Sequence, residues 1–162
     1  MRATVGLLVV VSLCLAGCSA NDDSEPVPDV DASAAVELQA RAFQRACQDV
    51  ICAGAPIYAP DSTPEAVREA IVAQFTDEVQ YLNELEIEKR TSSEGRFSNG
   101  ATMITVESVQ STGRDDVKSV NVAISKGYGD FNGRTYLFLW NGSKWVDTSP
   151  DAVNVTVTSS VS

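Results

Sequence analysis

From Ala101 to the C-terminus the chain alternates apolar and polar residues with a period of two, broken only by turn residues. Val120, Val122 and Ile124 alternate with Ser119, Asn121, Ala123 and Ser125, the pattern of a strand with one buried face. Gly113-Arg114-Asp115-Asp116 is the turn before it and Gly127 to Gly133 the turn after. Tyr136 to Trp140 is the most apolar strand, and Asn141-Gly142 predicts a two-residue type I′ hairpin into Lys144 to Thr148. That register sets Trp140 opposite Ser143 and Phe138 opposite Trp145, a cross-strand aromatic pair. Val153, Val155 and Val157, alternating with Asn154, Thr156 and Thr158, predict a final strand.

Upstream the period changes. Ala35, Leu38, Ala42, Phe43 and Ala46 form a helical stripe over Ser33 to Gln48, with Ser33 as the expected cap. Ile57-Tyr58-Ala59 reads as a short strand stopped by Pro60. Thr63-Pro64-Glu65 reads as a second helix start, with Thr63 at N-cap and Pro64 at N1, followed by Val67, Ala70, Ile71 and Phe75 at helical spacing. Residues 78–88 fit both periods. The strand is favoured, because Tyr81 and Ile87 fit only the alternation of Val79, Tyr81, Leu85 and Ile87 against Glu78, Glu84, Glu86 and Glu88. Helices first and hairpins after predict an α+β fold, two N-terminal helices on one face of a twisted antiparallel sheet, in a single domain over 33–162.

The first residues do not belong to that domain. Arg2 is followed by an apolar run, Val5 to Leu15, and then by Ala16, Gly17 and Cys18. Charge, short apolar core and small residues make a signal peptide over 1–17. The run is about half of the ~20 residues that a spanning helix needs. Leu15-Ala16-Gly17-Cys18 resembles the bacterial lipobox, which implies that Cys18 carries a diacylglyceryl group on its thiol and, as residue one of the mature chain, an acyl group such as palmitate. Two or three acyl chains, at roughly 0.8 kcal/mol per buried CH₂, make a durable membrane anchor. Residues 19–32 hold five acids and two prolines but no large side chain, and with Cys18 they read as a disordered tether, 18–32.

The cysteines divide three ways. Cys14 leaves with the signal peptide, Cys18 takes the lipid, and Cys47 and Cys52 remain as an even pair in an exported chain, predicting a disulfide worth about 2–3 kcal/mol. Their C-x₄-C spacing is not the redox C-x-x-C, and the chain has no histidine to complete a zinc set. The same absence removes Ser-His and Cys-His nucleophile pairs. No metal site, cofactor or catalytic set is predicted. The glycine-rich Gly127 to Gly133 lies between strands, with no helix N-terminus to hold a phosphate, and reads as an ordinary hairpin loop. A formal net charge of −10 argues against nucleic acid and anionic bilayers as partners.

What remains is surface. Tyr136, Phe138 and Trp140 face one side of their strand, and Leu137 and Leu139 the other. A strand apolar on both sides is covered twice or shows one side to a partner. Tyr136, Phe138, Trp140 and Trp145 are therefore the candidate binding face, unless the C-terminal valines supply the second cover. The expected role is a non-enzymatic binding module at the cell envelope, anchored to the membrane by its lipid and engaging another envelope protein or a small ligand. The alternative is a carboxylate-dependent hydrolase of cell-wall glycan, which needs only two acids.

The order of parts resembles secreted lipoproteins of high-GC Gram-positive, actinobacterial type. The likeness lies in the lipobox, the acidic tether, the cysteine before a short strand, the helix Pro64-Glu65-Ala66-Val67-Arg68-Glu69-Ala70-Ile71, and the closing Gly133-Arg134-Thr135-Tyr136 to Gly142-Ser143-Lys144-Trp145-Val146. Such a likeness implies an extracytoplasmic, membrane-anchored location and no particular activity. A looser likeness, of helices under a bent antiparallel sheet, is to cystatin- and NTF2-like domains, and it implies binding. Metabolic labelling with palmitate tests the anchor: label should be lost in Cys18→Ala, and label retained by that variant overturns the lipobox reading.

Overall fold

The computed structural model describes residues 26–49, 54–75 and 78–156. The signal peptide, Cys18, Cys52 and Val157 lie outside the described residues. Six strands form one sheet in the order β2-β1-β3-β4-β5-β6. They are β1 (Ile57–Pro60), β2 (Val79–Leu82), β3 (Thr102–Ser111), β4 (Val117–Ser125), β5 (Phe131–Trp140) and β6 (Trp145–Thr148). The fold is α+β, but the sheet is mixed rather than antiparallel. β1 pairs in parallel with both β2 and β3, and only β3 to β6 are antiparallel. Helix α2 (Glu65–Gln74) lies between β1 and β2 and returns the chain to the end where β1 began, as parallel pairing requires.

Helix α1 (Ala32–Asp49) buries the predicted stripe, with Leu38, Ala42, Phe43 and Ala46 at most 1% exposed. Its cap is Asp31, not Ser33: the Asp31 carboxylate accepts the Ala34 N–H at 2.7 Å. Val27 and Val30 pack half-buried on the same core, so the segment read as tether joins the domain before residue 33. In α2, Pro64 rather than Thr63 takes the N-cap, and its carbonyl accepts from the N–H groups of Val67 and Arg68. Cys47 is buried in α1 and disulfide-bonded.

Residues 78–88 are part strand, part helix. β2 ends at Leu82, and Asn83 starts α3 (Glu84–Arg90) through a capping box: Asn83 Oδ1 accepts from Glu86 N at 2.9 Å, and Glu86 Oε2 accepts from Asn83 N at 3.1 Å. The glutamate row is thus helical, with Glu84 and Glu86 in the first turn where the helix dipole favours acids. The predicted last strand is also corrected. Pro150–Val153 is a short helix α4, capped by Ser149, and Asn154 closes it at φ 50°.

The β5–β6 connection spans residues 141–144, two longer than predicted. The Asn141 side chain accepts from the N–H groups of Ser143 and Lys144 at 3.1 and 3.0 Å, a local turn that competes with the type I′ geometry. Trp140 therefore faces Trp145, ring centroids 5.6 Å apart, and Phe138 faces Asp147. A shift of two residues leaves every side chain on its intended face.

The front of the sheet is the main core. Ile57, Ile104, Val120, Val122, Tyr136, Phe138 and Trp145 cluster there with the stripes of α1 and α2. The aromatic row proposed as a binding face is therefore interior: Phe138 is 0% and Tyr136 4% exposed, Trp145 is buried and Trp140 half-buried. Arg41 and Arg45 of α1 roof it, their guanidinium groups 5.1 and 4.9 Å from the Phe138 and Tyr136 rings. Arg41 also donates to the Trp145 carbonyl at 2.8 Å and to Asp147 at 2.6 Å. On the back, Val153 and Val155 cover Leu137 and Leu139, the second cover that the doubly apolar strand required.

At the end of α1, the Tyr136 hydroxyl donates to Asp49 Oδ2 at 2.9 Å, and Arg134 donates to the same oxygen at 2.7 Å. Burial first, then the Asp49 hydrogen bond and charge, push the Tyr136 phenol from its ordinary value near 10 up to about 12. A raised folded-state value means that the unfolded chain releases this proton first, so the contribution is whole below pH 10 and is lost as pH rises towards 12. Urea unfolding should show Tyr136→Phe less stable by about 1–2 kcal/mol at pH 8. That gap should narrow between pH 10 and 12, and a gap independent of pH contradicts the account.

Candidate functional site

Among the described residues the back of the sheet is covered at its two ends, and the site lies beside one of them. Its foundation is Tyr58, wholly buried on β1. Phe97 meets the Tyr58 ring edge-on at 5.2 Å, and the Arg90 guanidinium lies over the ring at 5.2 Å. Arg90 and Asn99 donate to the phenol oxygen at 3.1 and 2.7 Å, and Arg90 also donates to Gln80 at 2.9 Å. One side chain thereby fixes the end of α3 and the following loop to the sheet.

That loop meets the β4–β5 hairpin backbone to backbone. Phe97 N donates to Lys126 O at 2.9 Å and Tyr128 N to Gly95 O at 2.6 Å. Between these bonds stands Gly127, at φ 149°, where a Cβ would lie 1.9 Å from the Gly95 oxygen and 2.5 Å from Arg96 Cα. Only glycine permits this approach. The Ser125 hydroxyl locks the turn, accepting from Gly127 N at 3.0 Å and donating to Gly127 O.

Between α3 and the hairpin a cleft of about 830 Å³ remains. Leu85 and Ile87 of α3 form one wall, Tyr128 and Phe131 the other, with Phe97 and Met103 among the remaining lining. Of the four large apolar side chains standing well exposed among the described residues, three are here: Leu85 at 59%, Tyr128 at 56% and Phe131 at 57%. The fourth, Val72, is on α2. Asp61, Glu84 and Glu88 bring carboxylates to the α3 side, the last two one helical turn apart, and among the described residues no lining side chain is basic. Beyond Met103 the sheet is floored by small, half-buried residues, Thr105, Ala123 and Gly133, adjacent across β3, β4 and β5.

Chemically the lining combines exposed apolar side chains with acids on one side. Apolar side chains exposed together favour an apolar contact, and one acidic rim favours a cation. A glycan hydrolase needs two carboxylates flanking the scissile bond. Here the carboxylates share one side, the Tyr128–Phe131 wall contributes none, and among the described residues no carboxylate is buried. Nor does any group of three or more His, Cys, Asp or Glu among the described residues form a metal-binding cluster.

None of the side chains chosen from the sequence as the candidate face lies in this cleft. Leu85 and Ile87 fit the alternation of a strand in sequence, and the capping pair Asn83 and Glu86 is the signal that points to the helix instead. Tyr128 and Phe131 sit in the glycine-rich segment read as an ordinary loop. Two aromatics in Gly-Tyr-Gly-Asp-Phe, the second of which opens β5, were the available sign, since turns are ordinarily polar. Comparison of the chain with protein-family models, curated proteins and solved structures finds no match.

The glycine contact is testable by contrast. Gly127→Ala should lose about 2–4 kcal/mol in urea unfolding, since clash adds to backbone strain. Gly129→Ala, at φ 80° with open space around it, should lose only about 1 kcal/mol. Equal losses for the two variants refute the close-approach account.

Proposed function

We propose that this chain is an exported lipoprotein, held at the extracytoplasmic face of the cell membrane through Cys18, whose domain is a binding module rather than an enzyme. The observation that carries the binding reading is the clustering of Leu85, Tyr128 and Phe131, each more than half exposed, in one cleft. Exposed apolar side chains scattered singly need no explanation, but a contiguous group marks an interaction site. The position of the Cys18 motif and the paired Cys47 and Cys52 support the exported location, as does the disulfide bond at Cys47. No helix among the described residues is long and apolar enough to cross a membrane.

The chain from Cys18 onward, expressed without its leader, contains every described element and carries no acyl group. Nile red, a neutral apolar dye, should brighten and shift to the blue with it. The double variant Leu85→Lys/Phe131→Lys should lose most of that response while keeping its circular dichroism spectrum, because both positions are exposed. An undiminished response in the folded variant rules this cleft out as the binding site.

A further inference from the structure

We infer that the occupant of this cleft is a basic, amphipathic segment of a partner protein, lying across the back of the sheet. The inference rests on the binding reading above and adds the chemistry of the ligand. Charge is the first reason. Asp61, Glu84 and Glu88 stand together on one side of the cleft, and among the described residues no lining side chain is basic. A ligand that fills the apolar floor thus meets carboxylates on the α3 side, and lysine or arginine complements them. The acids are exposed and solvated, so they select and steer while the apolar contacts supply most of the affinity.

Shape is the second reason. Small ligands are held in pockets that bury most of their surface. Here Leu85, Tyr128 and Phe131 remain 56–59% exposed and come from two segments on opposite sides. Side chains so placed are covered by something that bridges the walls and extends past them. Large apolar anchors at the centre and charge at the rim are the anatomy of a protein interface. The floor also continues past Met103 over Thr105, Ala123 and Gly133, whose small side chains leave room for a polypeptide backbone to cross the strands.

The test uses the unacylated mature chain and a short synthetic peptide alternating leucine with lysine, followed by fluorescence anisotropy. The lysine peptide should bind, weakening as salt is raised, and a leucine–glutamate peptide of the same length should not. Glu84→Gln/Glu88→Gln should weaken binding about five- to tenfold at low salt. Glu65→Gln/Glu69→Gln, which removes two acids from α2 outside the cleft, should leave it nearly unchanged. Equal weakening by the two pairs reduces the effect to net charge and overturns the inference. Decyltrimethylammonium is the small-cation arm, and if it displaces the peptide at equal concentration the occupant is a small organic cation and not a protein segment. If the lysine peptide fails to bind while the Nile red response still depends on Leu85 and Phe131, the ligand class falls and the cleft stands. If both fail, the binding reading falls with it.

Discussion

The back of this domain hangs on a phenol that water does not reach. Tyr58 belongs to a four-residue strand paired on both sides, so its position is set by the sheet. Its oxygen then accepts from Arg90 and Asn99, which belong to the end of α3 and to the loop beyond it. Neither segment is a sheet strand. Each is placed by what it donates to Tyr58 and by the Phe97 ring packed against the same side chain. The buried hydroxyl is satisfied by groups that would otherwise carry their own desolvation cost, so removing either side leaves the other stranded. The α3 wall of the cleft is thus positioned by a core residue that does not itself line it.

The two faces of the sheet divide the work. On the front, two helices close over aliphatic and aromatic side chains, and even the arginines of α1 lie over rings rather than in solvent. On the back, the described residues form two separate clusters, one at each end of the sheet. The short helix α4 and Val155 shield Leu137 at one end, while α3 and its loop shield Tyr58 and Leu82 at the other. Among the described residues the middle stays open, and its floor is made of Thr105, Ala123 and Gly133, residues too small to need a cover. The cleft is the gap left between two partial roofs.

Much of this was legible in the chain and some was not, for identifiable reasons. The stripe of α1 and the alternation of β4 are long enough for the period to be unambiguous, and both stand as read. The parallel pairing of β1 was not legible, because a four-residue strand carries no sign of its neighbours' direction. Both misread helices, α3 and α4, are short and apolar at few positions, so their caps carried more information than their periodicity. Asn83 with Glu86, and Ser149 with Pro150, were there to be weighed against the alternation. The aromatic row failed as a site for a different reason. Pattern shows that a strand is apolar on both faces, but only packing shows which face the helices take. The anchor at Cys18 rests on sequence alone, and so does the pairing of Cys47 with Cys52.

The sheet also ends in a particular way. Its outermost strands, β2 and β6, are four residues each, while β3, β4 and β5 run to nine or ten. Unpaired edges invite a second chain to add on, and shortness is one of the ways proteins discourage it. The stubs offer few backbone groups of their own, but among the described residues they also leave stretches of the long strands free: β1 pairs with β3 at Thr102 and Met103, and β6 with β5 from Leu137 to Trp140. A second chain adding at either outer edge would find only four residues to pair with, and on the freed flank of β3 the Glu107 carbonyl already accepts from the Gln39 side chain at 2.9 Å.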